Sequence, residues 1–148
     1  MKILFGAVSH QLDAKNRIRI PSKFRNAFPE NEPLYFAMYN GNRIAVMPES
    51  VLSERYNFID NLTPADQNEM NAATSIFEWI EPVEEDSYGR AVIPPRFKKR
   101  AGIEKEVLTV GMRNFIEIWS QEVHDRVIDS LTPEDTKAVY TKSHPDKA

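Results

Sequence analysis

Two arginines in this chain follow an aspartate at the same spacing, and that spacing suits binding chemistry. Asp13 lies four residues before Arg17, and Asp86 lies four residues before Arg90, 73 positions further along. An aspartate carboxylate can accept hydrogen bonds from backbone amides two residues on and so fix a tight turn. A guanidinium carried by such a turn can bind a phosphate or a base edge through two parallel hydrogen bonds. The pair could also be a structural ion pair, and both roles can hold at once.

The residue before each of these arginines predicts a left-handed backbone. Gly89 stands there in the second motif, and glycine adopts positive φ at the lowest cost. Asn16 stands there in the first motif, and asparagine is the commonest substitute for glycine in that region. The predicted turn-forming residues are therefore Asp13, Asn16, Asp86 and Gly89.

A longer duplication surrounds the two turns. The segment QLDAKNRIRIPSKFR, residues 11–25, returns as EEDSYGRAVIPPRFK, residues 84–98. In each copy, apolar alternation predicts two strands paired as a hairpin across the turn, and a proline then opens a short helix. The first hairpin is predicted from residues 3–12 and 17–20. Ile18 and Ile20 then share a buried face, and Arg17 and Arg19 share the other.

The duplication predicts two halves, residues 1–80 with trailing helices and residues 81–148 with a C-terminal helix and a polar tail. In the first half, the turn Asn40-Gly41-Asn42 predicts a further hairpin. Each half alone would leave an apolar sheet face and open edges. We therefore expect an α+β fold, mainly β, in which the halves interleave as a pseudo-twofold β-barrel with flanking helices.

Cations concentrate around the first turn although the formal net charge of the chain is −3. Affinity for a polyanion depends on where cations lie and not on their sum. In the second copy, Tyr88 and Val92 replace Lys15 and Arg19, so we expect the first turn to make most of the contact. A run in the second copy, Arg96 and residues 98–100, is either a further binding surface or a solvated helix face. The predicted binding residues are Lys15, Arg17, Arg19, Lys23, Arg25 and Arg90.

The doubled motif resembles the signature of the MraZ family of bacterial transcriptional regulators. The segments FGAVSHQLDAKNRIRIPSKFR and DSYGRAVIPPRF carry the resemblance, with Asn16 where the family usually has glycine. The resemblance implies two fused AbrB-like halves in a swapped-hairpin barrel. It also implies sequence-specific binding to double-stranded DNA at repeated promoter elements of the division and cell-wall gene cluster. Ring-like homo-oligomers and a cytoplasmic, nucleoid-associated location are further implications.

Catalytic and cofactor chemistry finds little support in the sequence. The chain has no cysteine, and its three histidines lack the spacing of metal ligands. The acidic segment EPVEED, residues 81–86, could hold an acid/base pair or magnesium, but we expect a solvated linker. No apolar run approaches the roughly 20 residues that span a bilayer. We expect no enzyme, no cofactor, no small-molecule substrate and no membrane contact.

A second function stays open beside DNA binding. The chain could be an antitoxin-like or scaffold barrel whose basic strip meets an acidic protein partner. Copurification of a small partner without retention of DNA would favour that alternative.

Overall fold

The computed structural model describes residues 1–38 and 41–143 and contains eight strands and six α-helices within those ranges. The strands are β1 Ala7–Gln11, β2 Arg17–Arg19, β3 Leu34–Ala37, β4 Ile44–Pro48, β5 Ile80–Pro82, β6 Arg90–Val92, β7 Glu106–Gly111 and β8 Ile116–Ser120. The helices are α1 Ser22–Arg25, α2 Glu49–Arg55, α3 Gln67–Phe77, α4 Pro95–Ala101, α5 Gln121–Asp129 and α6 Pro133–Ser143. A short 3-10 helix, Asn57–Asn61, follows α2.

The sheet topology follows the internal duplication. Six antiparallel strands lie in the order β1-β7-β8-β4-β3-β5, and β2 and β6 form a separate two-stranded unit, called the ribbon below. The pairing of β1 with β7 has its counterpart in the pairing of β5 with β3. The ribbon and the β4–β8 pair each join equivalent strands of the two copies. Strands from both copies therefore share one sheet, and the strand order is pseudo-twofold symmetric, because it reads the same from either end when each strand is replaced by its equivalent.

The predicted local hairpin across the first turn is wrong. β1 pairs with β7 from Ala7 opposite Val110 to Gln11 opposite Glu106, whereas β2 pairs with β6. Only the turn itself is closed locally, by the Asp13 N–H donating to the Arg17 carbonyl at 3.0 Å. The strands separate because each finds a longer-range partner in the other half of the chain.

The expected closed barrel is also not formed. β1 and β5 occupy the two ends of the six-stranded sheet and do not pair with each other. After each turn the chain leaves the six-stranded sheet and enters the ribbon. β2 and β6 therefore pair with each other and do not join β1 to β5. The architecture is a mixed α/β fold around a mostly antiparallel open sheet.

The core lies between the ribbon, the sheet and the short helices α1 and α4. Ile18 and Ala91 form the inner face of the ribbon and are buried. Phe97 of α4 is fully buried, with its ring centroid 6.4 Å from that of Phe36 and 5.3 Å from that of Trp79. Phe24 occupies the equivalent position on α1 and is also fully buried. These aromatic residues fix both short helices against the sheet.

The trailing helices of the two halves differ in how they pack. In the first half, the rings of Tyr56, Phe58 and Phe77 contact one another at centroid distances of 5.8–6.1 Å. In the second half, α6 is exposed along almost its whole described length. Residue Asn40 of the predicted turn and residues 144–148 of the predicted polar tail lie outside the described residues, although β3 and β4 do pair as that turn predicts. None of the described helices is long and apolar enough to cross a membrane.

Candidate nucleic-acid interface

The first turn is held by the carboxylate of Asp13. Its Oδ1 atom accepts hydrogen bonds from the backbone N–H groups of Lys15 and Arg17, both at 2.9 Å. Asn16 has φ of 60°, in the left-handed region that the sequence predicted. This arrangement places Lys15, whose side chain is exposed, at the tip of the turn.

The second turn repeats this geometry with different residues. Oδ1 of Asp86 accepts from the backbone N–H groups of Tyr88 at 2.9 Å and Arg90 at 3.0 Å. Gly89 has φ of 75°, which confirms that both copies need a left-handed residue before the arginine. The two turns therefore differ in charge at the tip, where Tyr88 replaces a lysine.

The two arginines are bound to their aspartates in different ways. Arg17 donates from Nε to Oδ2 of Asp13 at 2.6 Å, and its Nη1 lies 3.9 Å from Oδ2 of Asp86, beyond hydrogen-bonding distance. Arg90 presents both Nε and Nη2 to Oδ2 of Asp86, at 3.0 Å and 2.9 Å. The side chains of Arg17 and Arg90 are 24% and 30% exposed. Within the described part of the chain, both terminal nitrogens of Arg17 thus lack a hydrogen-bond acceptor.

The ribbon presents three arginines on one face. Its residues alternate between a buried inner face and an outer face that carries Arg17, Arg19, Arg90 and Val92. Arg19 lies directly opposite Arg90 in the strand register. Like charges opposite each other on a sheet are destabilising, and a bound polyanion would relieve that repulsion.

Two further predicted binding residues, Lys23 and Arg25, lie outside this face of the ribbon. The ammonium of Lys23 lies 4.9 Å from the ring centroid of Phe5. Arg25 pairs with Glu85, with its Nη2 3.0 Å from Oε1. Both residues belong to α1, which follows β2 and therefore lies beside the second turn. Both residues are close to Lys15 in the sequence. However, β2 lies between them, so Lys15 is at one end of the ribbon and α1 begins at the other end.

The acidic segment at residues 81–86 is not the solvated linker that the sequence suggested. Its first residues belong to β5, which pairs with β3. Glu81 pairs with Arg96 at 2.9 Å, and Glu85 pairs with Arg25. These carboxylates therefore neutralise neighbouring cations. Within residues 1–38 and 41–143, no group of three or more histidine, aspartate or glutamate side chains could hold a metal ion.

The two described histidines have local structural partners. Nε2 of His10 lies 2.7 Å from Oγ1 of Thr109, and burial lowers the pKa of His10. His124 lies 3.0 Å from a carboxylate oxygen of Asp125. Neither histidine contacts the ribbon through a hydrogen bond, and His144 lies outside the described residues.

The hydrogen bonds at the second turn also set its acid–base behaviour. The Arg90 backbone N–H, followed by the Arg90 guanidinium and the Tyr88 backbone N–H, lowers the pKa of Asp86 to about 2 against the opposing effect of desolvation. The pKa of Asp13 is lowered in the same direction, with the Arg17 backbone N–H as the largest cause. Both carboxylates are therefore ionised throughout the neutral range and hold their arginines in place.

This pKa shift predicts how replacement of Asp86 by asparagine responds to acid. The ionised carboxylate stabilises the fold fully above its ordinary pKa of 3.8, and this contribution disappears as the pH falls through about 2. Asparagine keeps an oxygen that can accept the two backbone hydrogen bonds but removes the charge. We expect Asp86→Asn to be less stable than the original chain near neutral pH, with a difference that narrows towards pH 2. Urea unfolding across that range measures it, and a difference independent of pH would contradict the ionic contribution.

Comparison with known proteins agrees with this duplicated architecture. A family model described as "MraZ protein, putative antitoxin-like" matches residues 3–42 and 81–141, which include both turns. The chain belongs to the MraZ family. The family model covers both turns and the ribbon, and the segment it leaves out, residues 43–80, contains β4, α2 and α3.

Several MraZ relatives align along nearly the whole chain, and those below are named "Transcriptional regulator MraZ". The protein from Mycoplasmopsis pulmonis is 27% identical over 139 residues, which are 94% of this chain and 93% of the relative. The protein from Anaeromyxobacter dehalogenans strain 2CP-C is 28% identical over 90% of this chain and 94% of its own length. The protein from Ureaplasma urealyticum serovar 10 is 31% identical over 90% of this chain and 91% of its own length. These names describe regulators and not enzymes, in agreement with the sequence prediction.

Proposed function

We propose that this chain is a sequence-specific DNA-binding transcription regulator that holds duplex DNA against the outer face of the ribbon. The observation that carries the proposal is the placement of three arginines on that face, beside two turns fixed by aspartates. The names of the MraZ relatives support a regulatory role. Rigid turns suit recognition because a preorganised guanidinium loses little freedom when it binds.

The proposed roles differ among the cations. Arg17 reads a base edge, since its two terminal nitrogens can form the parallel hydrogen bonds that guanine accepts in the major groove. Lys15 and Arg19 contact phosphates beside it, and Arg90 makes a weaker contact because Asp86 engages two of its nitrogens. Lys23 and Arg25 contribute least, since one packs on Phe5 and the other pairs with Glu85.

One protomer offers few base contacts, so the proposal includes a ring-like homo-oligomer that engages repeated promoter elements. Linked contacts raise the effective concentration of each further contact. An exposed apolar edge beside β1 supports self-association, with Ile3 68% and Phe5 65% exposed and Met1 and Met112 nearby. The mass of the purified chain in solution tests this part directly, and a monomeric mass would contradict it.

The proposed function has a matching organisation of the chain and a matching place of action. Residues 1–80 and 81–148 act as two AbrB-like halves with exchanged hairpins, an arrangement supported by the pairing of β1 with β7 and of β5 with β3. The sites proposed for binding are promoter elements of the division and cell-wall gene cluster, which places the protein in the cytoplasm at the nucleoid.

An antitoxin-like protein-interaction role is the second candidate, favoured by the description of the matching family model. In that role the outer face of the ribbon meets an acidic protein surface instead of DNA. Copurification separates the two candidates: retention of duplex DNA supports regulation, whereas a stoichiometric small protein partner without DNA supports the alternative.

Salt dependence tests the proposed contact with the DNA backbone. Each phosphate contact releases counterions, so log K should fall against log salt with a slope of about −0.9 per contact. We expect a steep slope with a selected duplex and also with a scrambled duplex, whose affinity is lower at every salt concentration. A flat response in fluorescence anisotropy titrations would contradict the electrostatic account.

A further inference from the structure

A groove of about 260 Å³ beside the first turn is lined by three lysines and, among the described residues, by no carboxylate. Lys15 comes from the tip of the turn, and Lys98 and Lys99 come from α4. None of the three forms an ion pair with any described residue, in contrast to Arg17, Arg25, Arg90 and Arg96. Three lysines that line one groove without a neutralising carboxylate create a positive potential there, which favours binding of an anionic ligand.

The basic run of α4 divides into two groups with different surroundings. Arg96 and Arg100, one turn apart, place their guanidinium carbons 4.5 Å and 4.4 Å from the Trp79 ring, and Arg96 also pairs with Glu81. These two arginines are therefore packing residues. Lys98 and Lys99 instead line the groove, so they are the part of the run that is available to a ligand.

The pseudo-twofold relation provides an internal comparison for this groove. Beside α1, the equivalent of α4, a second surface groove is lined by Arg25, Asn26, Phe28 and Glu30, and by no residue of the second turn. Arg25 corresponds to Lys98, but it is neutralised by Glu85, and Asn26 corresponds to Lys99. The groove beside α4 is therefore lined by three lysines without an acid, whereas the groove beside α1 has one arginine, which Glu85 neutralises, and one glutamate.

We propose that the lysine groove, formed by Lys15, Lys98 and Lys99, binds the phosphodiester backbone of a DNA strand whose base edges face Arg17. This inference rests on the proposed function and extends it to residues of α4. Lysine is a compact point charge that suits phosphate oxygens and carries little information about the base. The groove therefore sets the position and direction of the duplex on the ribbon, with the strand running from the first turn towards α4.

The test compares Lys98→Gln/Lys99→Gln with a control that removes the same charge elsewhere. Lys137→Gln/Lys142→Gln changes two exposed lysines of α6 and leaves the groove intact. We expect the α4 variant to lower affinity for selected and scrambled duplexes by the same factor. Its salt slope should be shallower by about 1.8, which is two contacts at about 0.9 each. The α6 variant should keep the original slope.

The outcomes separate this inference from the proposed function. If the original chain binds the selected duplex and the α4 variant keeps its affinity and slope, the groove assignment is overturned while DNA binding stands. If the original chain prefers no duplex over a scrambled one, the proposed function itself fails. Chemical acetylation gives a second readout: duplex DNA should protect Lys98 and Lys99, whereas inorganic phosphate at equal ionic strength should not. Equal protection by phosphate would overturn the assignment to the DNA backbone.

Discussion

Replacement of Arg17 by alanine is expected to abolish specific DNA binding while the fold stays intact. One bidentate base contact contributes about 1–3 kcal/mol, or roughly 5-fold to 150-fold in affinity, and linked protomers multiply that loss. The turn should survive, because Oδ1 of Asp13 keeps its hydrogen bonds from the backbone N–H groups of Lys15 and Arg17. Gel-shift titration with a selected duplex measures the loss, and circular dichroism checks the fold.

Arg90→Ala is the matched control for that experiment. Asp86 engages two nitrogens of Arg90, and the guanidinium also lies 5.0 Å from the Tyr88 ring centroid, so fewer donors remain for DNA. We expect a smaller loss of affinity than for Arg17→Ala at the same salt concentration. Equal losses for the two variants would contradict the asymmetry between the turns.

Replacement of Phe97 by alanine is expected to cause a large loss of stability. The side chain is fully buried and packs against Phe36 and Trp79, so its removal leaves a cavity in the shared core. Substitutions of this kind cost about 3–5 kcal/mol in the free energy of unfolding. Because Phe97 anchors α4, the same change should also weaken DNA binding through Lys98 and Lys99. Equilibrium urea denaturation measures the stability directly.

Two further variants calibrate the Phe97 result. Phe24→Ala removes the pseudo-twofold equivalent, which is also fully buried, and should cost a similar amount. Val139→Ala on α6 alters a side chain that is 71% exposed and should change stability by no more than about 0.5 kcal/mol. If Phe97→Ala behaved like Val139→Ala, the packing described for α4 would be incorrect.

The sequence predicts the turns well because their geometry is local. An aspartate four residues before an arginine, with asparagine or glycine between them, determines the backbone of a short segment. Residue type alone predicts the positive φ of Asn16 and Gly89. The alternation of apolar and polar residues predicts that Ile18 is buried. The doubled motif likewise predicts the pseudo-twofold symmetry, since two equivalent segments adopt equivalent structures.

The sequence does not predict which strands pair, because pairing depends on contacts between distant segments. Apolar alternation fits β1 equally well against β2 or against β7, and only the assembled fold selects β7. The same limit applies to the cations: Lys15 and Arg25 are close in sequence, yet β2 separates them.

Selection of binding sites from a pool of random duplex DNA is the most direct test of sequence recognition by Arg17. Parallel selections should use the original chain and Arg17→Ala under the same salt conditions, with folding of both proteins verified beforehand. We expect the original chain to enrich a short motif, present in repeated copies, and Arg17→Ala to enrich none. Failure of the folded original chain to enrich any motif, or enrichment of the same motif by Arg17→Ala, would contradict sequence recognition through the first turn.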